Sequence, residues 1–385
     1  MVAMILPFSA MNFADAAPNE NTNDKAKENN KTIDEETCFD LITESISEKE
    51  SNLNIDDLKQ KTRGNSEFNQ MAATDKRVDF KNTIQYWKSD PVECTVELKQ
   101  IDVKFNLDKD TSNHMELVTS IDTKSGEVIK TEMQEPYNVS HTNYNSDSAN
   151  WVTINQMDGS TESSSDITKV KSYFDVPYPS DPSQLDCSSG TNKCIVSSWA
   201  GLSEDDFGSD TMIQSGTDSV CEGNNCASGR SYNAWLEKVD DDGSGDNDQC
   251  TSLTVNNGDS VRTWTYYYDS TNKYATSVYN YDEHALCSTT YYNETEDSHH
   301  GIFAVERPLD VSSGDIYRLP SFADFDMEGI IYVSGVSYGI GEYNTLGDTN
   351  KWTMKNSGTS NVVPSWPNTT TDKITFDYQS SAGTS

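Results

Sequence analysis

Basic side chains are scarce in this chain. Lys and Arg total 28 against 63 Asp and Glu, for a net charge of -35. That imbalance excludes nucleic acid as a partner, because its phosphates would be repelled. Long apolar runs are lacking as well. The stretch Val2 to Phe13 is too short to span a bilayer and nothing later is long enough, so no membrane span is expected. The five histidines (His114, His141, His284, His299, His300) show no metal spacing, and no His-Glu-x-x-His occurs. Neither Asp-Thr-Gly nor Asp-Ser-Gly appears, which removes the usual signature of a two-aspartate site.

What is present points to an oxidising compartment. Ala14-Asp15-Ala16-Ala17 follows the short apolar run, so residues 1–17 read as the later part of a secretory signal peptide without its usual basic start. Eight cysteines suit disulfides, with Cys38–Cys94, Cys187–Cys194, Cys221–Cys226 and Cys250–Cys287 as the expected pairs. The short spacings lack the paired Cys-x-x-Cys of a structural zinc site. Sequons stand at Asn30, Asn138, Asn293 and Asn368. The expected location is outside the cell, or an acidic vacuolar or lysosomal compartment where protonation relieves the self-repulsion of so many carboxylates.

Texture divides the chain. Residues 18–32 are polar and nearly devoid of apolar side chains, a disordered leader. A small α+β module is expected over 33–140: a helix near 33–47, strand patterning over Val92–Leu107, and a hairpin turning at Asp122 to Gly126. The first 140 residues hold 16 of the 28 basic side chains, leaving the remainder strongly acidic. Residues 141–149 read as a linker. From 150 to 345 short strand candidates alternate with Gly, Ser, Asn and Asp clusters and helical periodicity nearly vanishes, which argues an antiparallel two-sheet β-sandwich. Residues 346–385 form a Ser/Thr/Asn-rich extension with one strand candidate at Ile374–Tyr378.

Two catalytic or binding patterns weaken on inspection. Gly335-Val336-Ser337-Tyr338-Gly339 matches the nucleophile elbow, but both flanks read as strand where the elbow needs a strand-to-helix turn. Asp240 to Asp248 partly matches a calcium loop, yet position twelve is Thr251 instead of Glu, so an acidic turn is the better reading. Carboxylate chemistry remains. Glu306 closes the apolar run Ile302-Phe303-Ala304-Val305, expected as a buried strand with the carboxylate at its rim. Gln214 follows Met212 and Ile213 and precedes Ser215-Gly216, expected at the end of a half-buried strand. A carboxylate can serve water as general base and then the leaving amine as general acid. An amide can stabilise the oxyanion at any pH because it does not titrate.

The ordered set Trp-x-Gly, Ile-Gln-x-Gly-x-Asp, Tyr-x-Ala-Trp-x-Glu, Phe-x-Val-Glu and Pro-x-Phe-Ala-Asp-Phe, spread over roughly Asn150 to Tyr332, resembles the glutamic peptidases, the eqolisin family. The resemblance puts the catalytic glutamine on Gln214 and the catalytic glutamate on Glu306. It puts cleft or supporting positions on Trp151, Trp199, Asp218 and Glu237. Taken singly, the tryptophans read as core packing and Glu237 as a surface charge; the order of the motifs carries the resemblance. Ser203, Lys238 and Arg307-Pro308 depart from the family pattern, and a cation beside Glu306 favours its ionised form.

The resemblance implies a concanavalin-like sandwich, no metal and no organic cofactor. The resulting expectation is a secreted, acid-acting endopeptidase made as a zymogen, monomeric, with polypeptide substrates and its own propeptide as partners. A lectin-like carbohydrate-binding sandwich and an inactive peptidase relative stay open at this point. A further expectation is that the lysine-rich upstream module docks on the acidic domain and loosens as carboxylates protonate.

Overall fold

The computed structural model describes residues 35–73, 78–107, 115–135, 137, 139–140, 151–157, 167–180, 193–203, 211–223, 226–240, 245–268, 271–292, 300–310, 316–333, 335–343, 349–352, 354–356, 359–365, 367–368 and 370–379. The expected signal peptide, leader and linker, Cys187, and the sequons at Asn30, Asn138 and Asn293 lie outside these residues.

Helices α1 (Glu35–Ser51), α2 (Ile55–Gly64) and α3 (Ser66–Ala72) precede strands β1 (Val78–Asp90), β2 (Thr95–Leu107), β3 (Met115–Asp122), β4 (Val128–Gln134) and the short β5 (Val139–Ser140). Next come β6 (Trp151–Met157), β7 (Ile167–Asp175), β8 (Lys193–Ser203), β9 (Met212–Glu222), β10 (Gly229–Val239) and β11 (Gly245–Gln249). Then follow β12 (Ser260–Tyr268), β13 (Lys273–Asn280), β14 (Ala285–Tyr292), β15 (His300–Glu306), β16 (Leu309–Asp310), β17 (Phe325–Val333) and β18 (Val336–Gly339). The short helix α4 (Ile340–Tyr343) leads to β19 (Thr349–Trp352), β20 (Met354–Asn356), β21 (Thr359–Pro364) and β22 (Lys373–Tyr378).

These strands make two large antiparallel sheets. A seven-stranded sheet runs β11-β10-β9-β8-β15-β6-β19, and a thirteen-stranded one runs β20-β21-β22-β17-β7-β12-β13-β14-β1-β2-β3-β4 with β18 beside β17. Alternation explains how they pack. On the seven-stranded sheet, Val196, Ala200, Leu202, Ile213, Leu236, Phe303 and Val305 point inward to meet Val170, Phe174, Val261, Val278 and Ile331 of the other sheet in one core. Residues of opposite parity on those strands point outward, and every candidate site side chain that the structure describes is among them. The Cys250–Cys287 disulfide ties the exit of β11 to β14, one strand from each sheet. Cys38–Cys94 and Cys221–Cys226 also pair as expected.

The upstream segment extends the sandwich. Strand β1 pairs with β14 from Gln85↔Ser288 to Lys88↔Ala285, so β1 to β4 continue the larger sheet beyond its last downstream strand. Helix α1 covers the outer face of that sheet. Phe39 packs edge-on against Trp264 with ring centroids 5.1 Å apart, among Tyr279, Trp87 and Leu286. Burying such a ring stabilises by about 1.5–3 kcal/mol. Asp40 pairs with Lys171, and Ser288 donates to Glu50.

A buried ion cluster joins β1, β2 and β3 to β11. Lys104 Nζ lies 2.8 Å from Asp248 Oδ1 and 3.2 Å from Glu116 Oε2, while Lys81 Nζ lies 3.1 Å and 2.8 Å from the same two carboxylates.

Several expectations shift. Gln214 is third in a strand that runs on to Glu222 and is buried on both faces, not at the end of a half-buried one. The Ser-Gly-Thr-Asp-Ser run after it, turn-like in composition, stays extended because its inner face meets the core and its outer face meets two tryptophans. Residues 349–378, expected as an extension, supply β19 to β22 and pair with β6 and β17. Around the elbow pattern the chain reverses at Gly335, whose φ of +80° favours glycine, so Ser337 lies within β18 and makes no elbow.

Candidate active site

Two glycines shape the outer face of the seven-stranded sheet. In the β8–β9 ladder Gly201 stands opposite Gln214, and Gly216 opposite Trp199. A Cβ on Gly201 would lie 2.7 Å from the Ile213 carbonyl oxygen and 2.8 Å from Gln214 Cβ. One on Gly216 would lie 2.4 Å from the Ser198 carbonyl oxygen and 2.5 Å from Trp199 Cβ. Each strand therefore carries a distinctive side chain and, two positions later, the glycine that makes room for its neighbour's. This is the physical content of the paired Trp-x-Gly and Gln-x-Gly spacing.

Register then fixes the remaining positions. Glu306, the last residue of β15, stands opposite Ser197 on β8, and Ser197 opposite Asp218 on β9. Gln214 pairs across β10 with Glu237, and Asp218 with Asn233. Gln214, Asp218, Glu237, Trp199 and Glu306 thus share one face. Gln214 and Glu306 are separated by two strand spacings and four residue rises, roughly 10 Å across and 13 Å along the sheet between Cα atoms. Trp199 stands on the strand between them. Trp151 is opposite Glu306 in the β6–β15 ladder, and its side chain lies outside what the structure describes.

The polar groups are held by specific bonds. Trp199 Nε1 donates to Glu306 Oε2 at 2.9 Å, and Gln214 Nε2 donates to Glu237 Oε2 at 2.7 Å. Trp235 Nε1 donates to Asp218 Oδ1 at 3.0 Å, and Ser197 Oγ donates to the same oxygen. Gln214, Asp218, Trp199 and Glu306 are wholly buried, so Glu306 is no rim carboxylate in this state. Part of the cover is Tyr137, whose hydroxyl donates to Asp218 Oδ2. Arg307 is buried beside the site, and burial pulls its guanidinium down to about 10, which leaves it cationic in acid.

Ser197, Trp235, Asn233 and Tyr137 were not singled out in the sequence. For the first two the signal was available: Ser197 precedes Trp199 by two and Trp235 precedes Glu237 by two, which puts each pair on one face of a strand. Nothing local marks Tyr137. Among the described residues no group of three or more His, Cys, Asp or Glu is placed to hold a metal ion. Asp248 of the acidic loop faces lysines instead. A cavity of about 550 Å³ opens elsewhere, between α1 and the outer face of the larger sheet near Glu50, Trp264 and Tyr332, and none of the expected site residues lines it.

Residues 155–378 match the peptidase A4 family. Among solved structures, the chain is similar to one described as SCP-B, a member of the eqolisin family of peptidases, in a complex with the tripeptide Ala-Ile-His. The identity is 16% and the TM-score 0.42, over 60% of this chain and 98% of that one. No curated protein matches the chain.

Proposed function

This chain belongs to the peptidase A4 family, the glutamic endopeptidases or eqolisins, and from that premise we propose that Gln214 and Glu306 are its catalytic pair. Polypeptides are then the substrates. In this reading Glu306 takes a proton from a water that attacks the scissile carbonyl, Gln214 donates to the developing oxyanion, and Glu306 returns the proton to the leaving amine. The observation that carries the reading is the shared face. An amide and a carboxylate, each oriented by its own partner, stand on one face of the sheet on either side of Trp199. An amide NH2 has two donors; the one turned to Glu237 sets the orientation and the other meets the oxyanion.

Secretion and synthesis as a zymogen belong to the same proposal. They are supported by the disulfides and by an upstream segment that both extends the sandwich and reaches the cleft through Tyr137. Supporting roles fall to Trp199, which holds Glu306, to Glu237, which holds Gln214, and to Trp151 and Asp218 along the cleft.

Peptide hydrolysis at acid pH by the wild type, Gln214→Ala and Glu306→Ala tests the pair. Loss of one oxyanion donor should lower kcat by roughly 10² to 10³, and loss of the acid-base group by roughly 10² to 10⁴, with circular dichroism unchanged. Near-normal turnover by either variant would refute the assignment.

A further inference from the structure

Tyr137 lies between β4 and β5, and β5 pairs with β16, three residues beyond Glu306. The tyrosine therefore reaches the outer face of the seven-stranded sheet from the upstream segment. It packs against two clusters of that face, one that holds Trp199, Met212, Trp235 and Ile302 and one that holds Ile195, Val220 and Tyr317. At the end of this apolar slot its hydroxyl donates to Asp218 Oδ2. The carboxylate is itself fixed, because Oδ1 accepts from both Trp235 Nε1 and Ser197 Oγ. Asn233 stands in register with Asp218 on the neighbouring strand. Burial and then the neighbouring Asp218 push the phenol well above its ordinary range, so it remains a donor across the acid and neutral range.

A slot lined by indole and aliphatic surface, closed by an acceptor that two buried donors hold in place, is the complement of a para-hydroxyphenyl group. We propose that this slot is a substrate subsite selective for tyrosine, and that Tyr137 is the chain's own occupant of it until the upstream segment leaves. The proposal rests on the peptidase reading of the same cleft. Phenylalanine would fill the same volume but lack the hydroxyl that bonds Asp218, and the loss of a buried hydrogen bond is worth enough to separate the two side chains by about ten-fold or more.

Matched peptides that differ only by Tyr or Phe at one position, scanned along the sequence, test this on full-length Tyr137→Ala, whose slot is vacated without release of the upstream segment, and on the same variant carrying Asp218→Asn. At one position Tyr137→Ala should cleave the Tyr peptide with a kcat/KM about ten-fold higher or more, and adding D218N should bring the ratio close to one. Equal rates at every position, or the same ratio with D218N added, overturn the proposal. Failure of the catalytic assignment looks different: Q214A or E306A would keep cleaving whatever the Tyr/Phe ratio.

A second arm needs no turnover. In full-length Tyr137→Ala the vacated slot should bind N-acetyl-tyrosinamide, seen as a rise in melting temperature that N-acetyl-phenylalaninamide does not give at the same concentration. Equal shifts, or none with either, count against the subsite. Should Y137A fail to fold, full-length Tyr137→Phe replaces it. That variant keeps the ring and loses only the donor, and it should cleave the Tyr peptide faster than unprocessed wild type; a rate equal to wild type overturns the idea.

Discussion

Lys104 of β2 and Asp248 of β11 meet at 2.8 Å in a fully buried contact between the upstream segment and the edge of the seven-stranded sheet. Burial opposes the charge on Asp248, but the two lysine ammoniums and the Asn82 amide outweigh it and hold its carboxyl below the usual range. A depressed carboxyl contributes stability that is complete above its ordinary value near 4 and fades only as pH falls through the lower one. Mild acid therefore leaves this contact intact, contrary to the expectation that protonation loosens the docking. With a specific protease site placed in 141–150 and cut, the two pieces should co-elute at pH 7 and at pH 4. Separation at pH 4 would sink the argument. Asp248→Ala, which leaves two buried lysines to share Glu116, should cost about 3–5 kcal/mol in urea unfolding.

Glu50, at the end of α1, pulls the opposite way. Burial pushes its carboxyl up to about 7 from 4.5, against the Ser288 and Thr290 hydroxyls and Lys273, which favour the charged form. Between those two values the folded chain keeps a proton that the unfolded chain has released, so stability falls as pH rises through the window. The full loss above pH 7 is about 3 kcal/mol. Glu50→Gln removes the titration while keeping an acceptor for Ser288. It should raise unfolding stability by about that amount at pH 8 and change little at pH 4. A gain of equal size at both pH values would show that ionisation is not the cause.

How much of this was legible beforehand depended on where the signal resided. The strands around Trp199 and Glu306 could be read because alternation is local: the apolar run Ile302 to Val305 closed by Glu306 lies within His300–Glu306, and Trp199 lies within Lys193–Ser203. The candidate residues were assembled by the order of the motifs, while their shared face needed the register, which depends on pairs far apart in sequence. Helices α2 and α3 were missed although Asn54 and Asn65 cap them with side-chain bonds to Asp57 and Phe68; their weak apolar stripes hid a readable cap. Tyr137 could not be found this way. Its partner, Asp218, is 81 positions away, and no period or spacing links a tyrosine before a linker to an aspartate in a strand.

The glycines opposite Trp199 and Gln214 make a stability prediction. In Gly216→Ala the new methyl meets the Ser198 carbonyl and Trp199 Cβ at 2.4 and 2.5 Å. Neither can move without opening the β8–β9 ladder. Overpacking of this kind costs about 1–3 kcal/mol. Gly201→Ala, which crowds the Gln214 backbone and Cβ, should cost a similar amount and also lower kcat by displacing the amide. Wild-type melting temperatures in both variants would show that the sheet yields more easily than the contacts imply.

The bond from Trp199 to Glu306 makes a prediction that separates positioning from packing. An indole N–H that donates to a carboxylate favours its charged form, and the general base must be charged to accept a proton from water. Trp199→Phe keeps an aromatic ring in the slot and deletes the donor. Without that donor the charged form loses support, and the rising limb of kcat/KM against pH should move to higher pH. Trp199→Ala should lower activity and stability together through the cavity it leaves, so only the phenylalanine variant isolates the hydrogen bond. A W199F enzyme that loses rate at every pH while the limb stays in place would mean that the indole merely fills space, and Glu306 would then need another group to hold it ready.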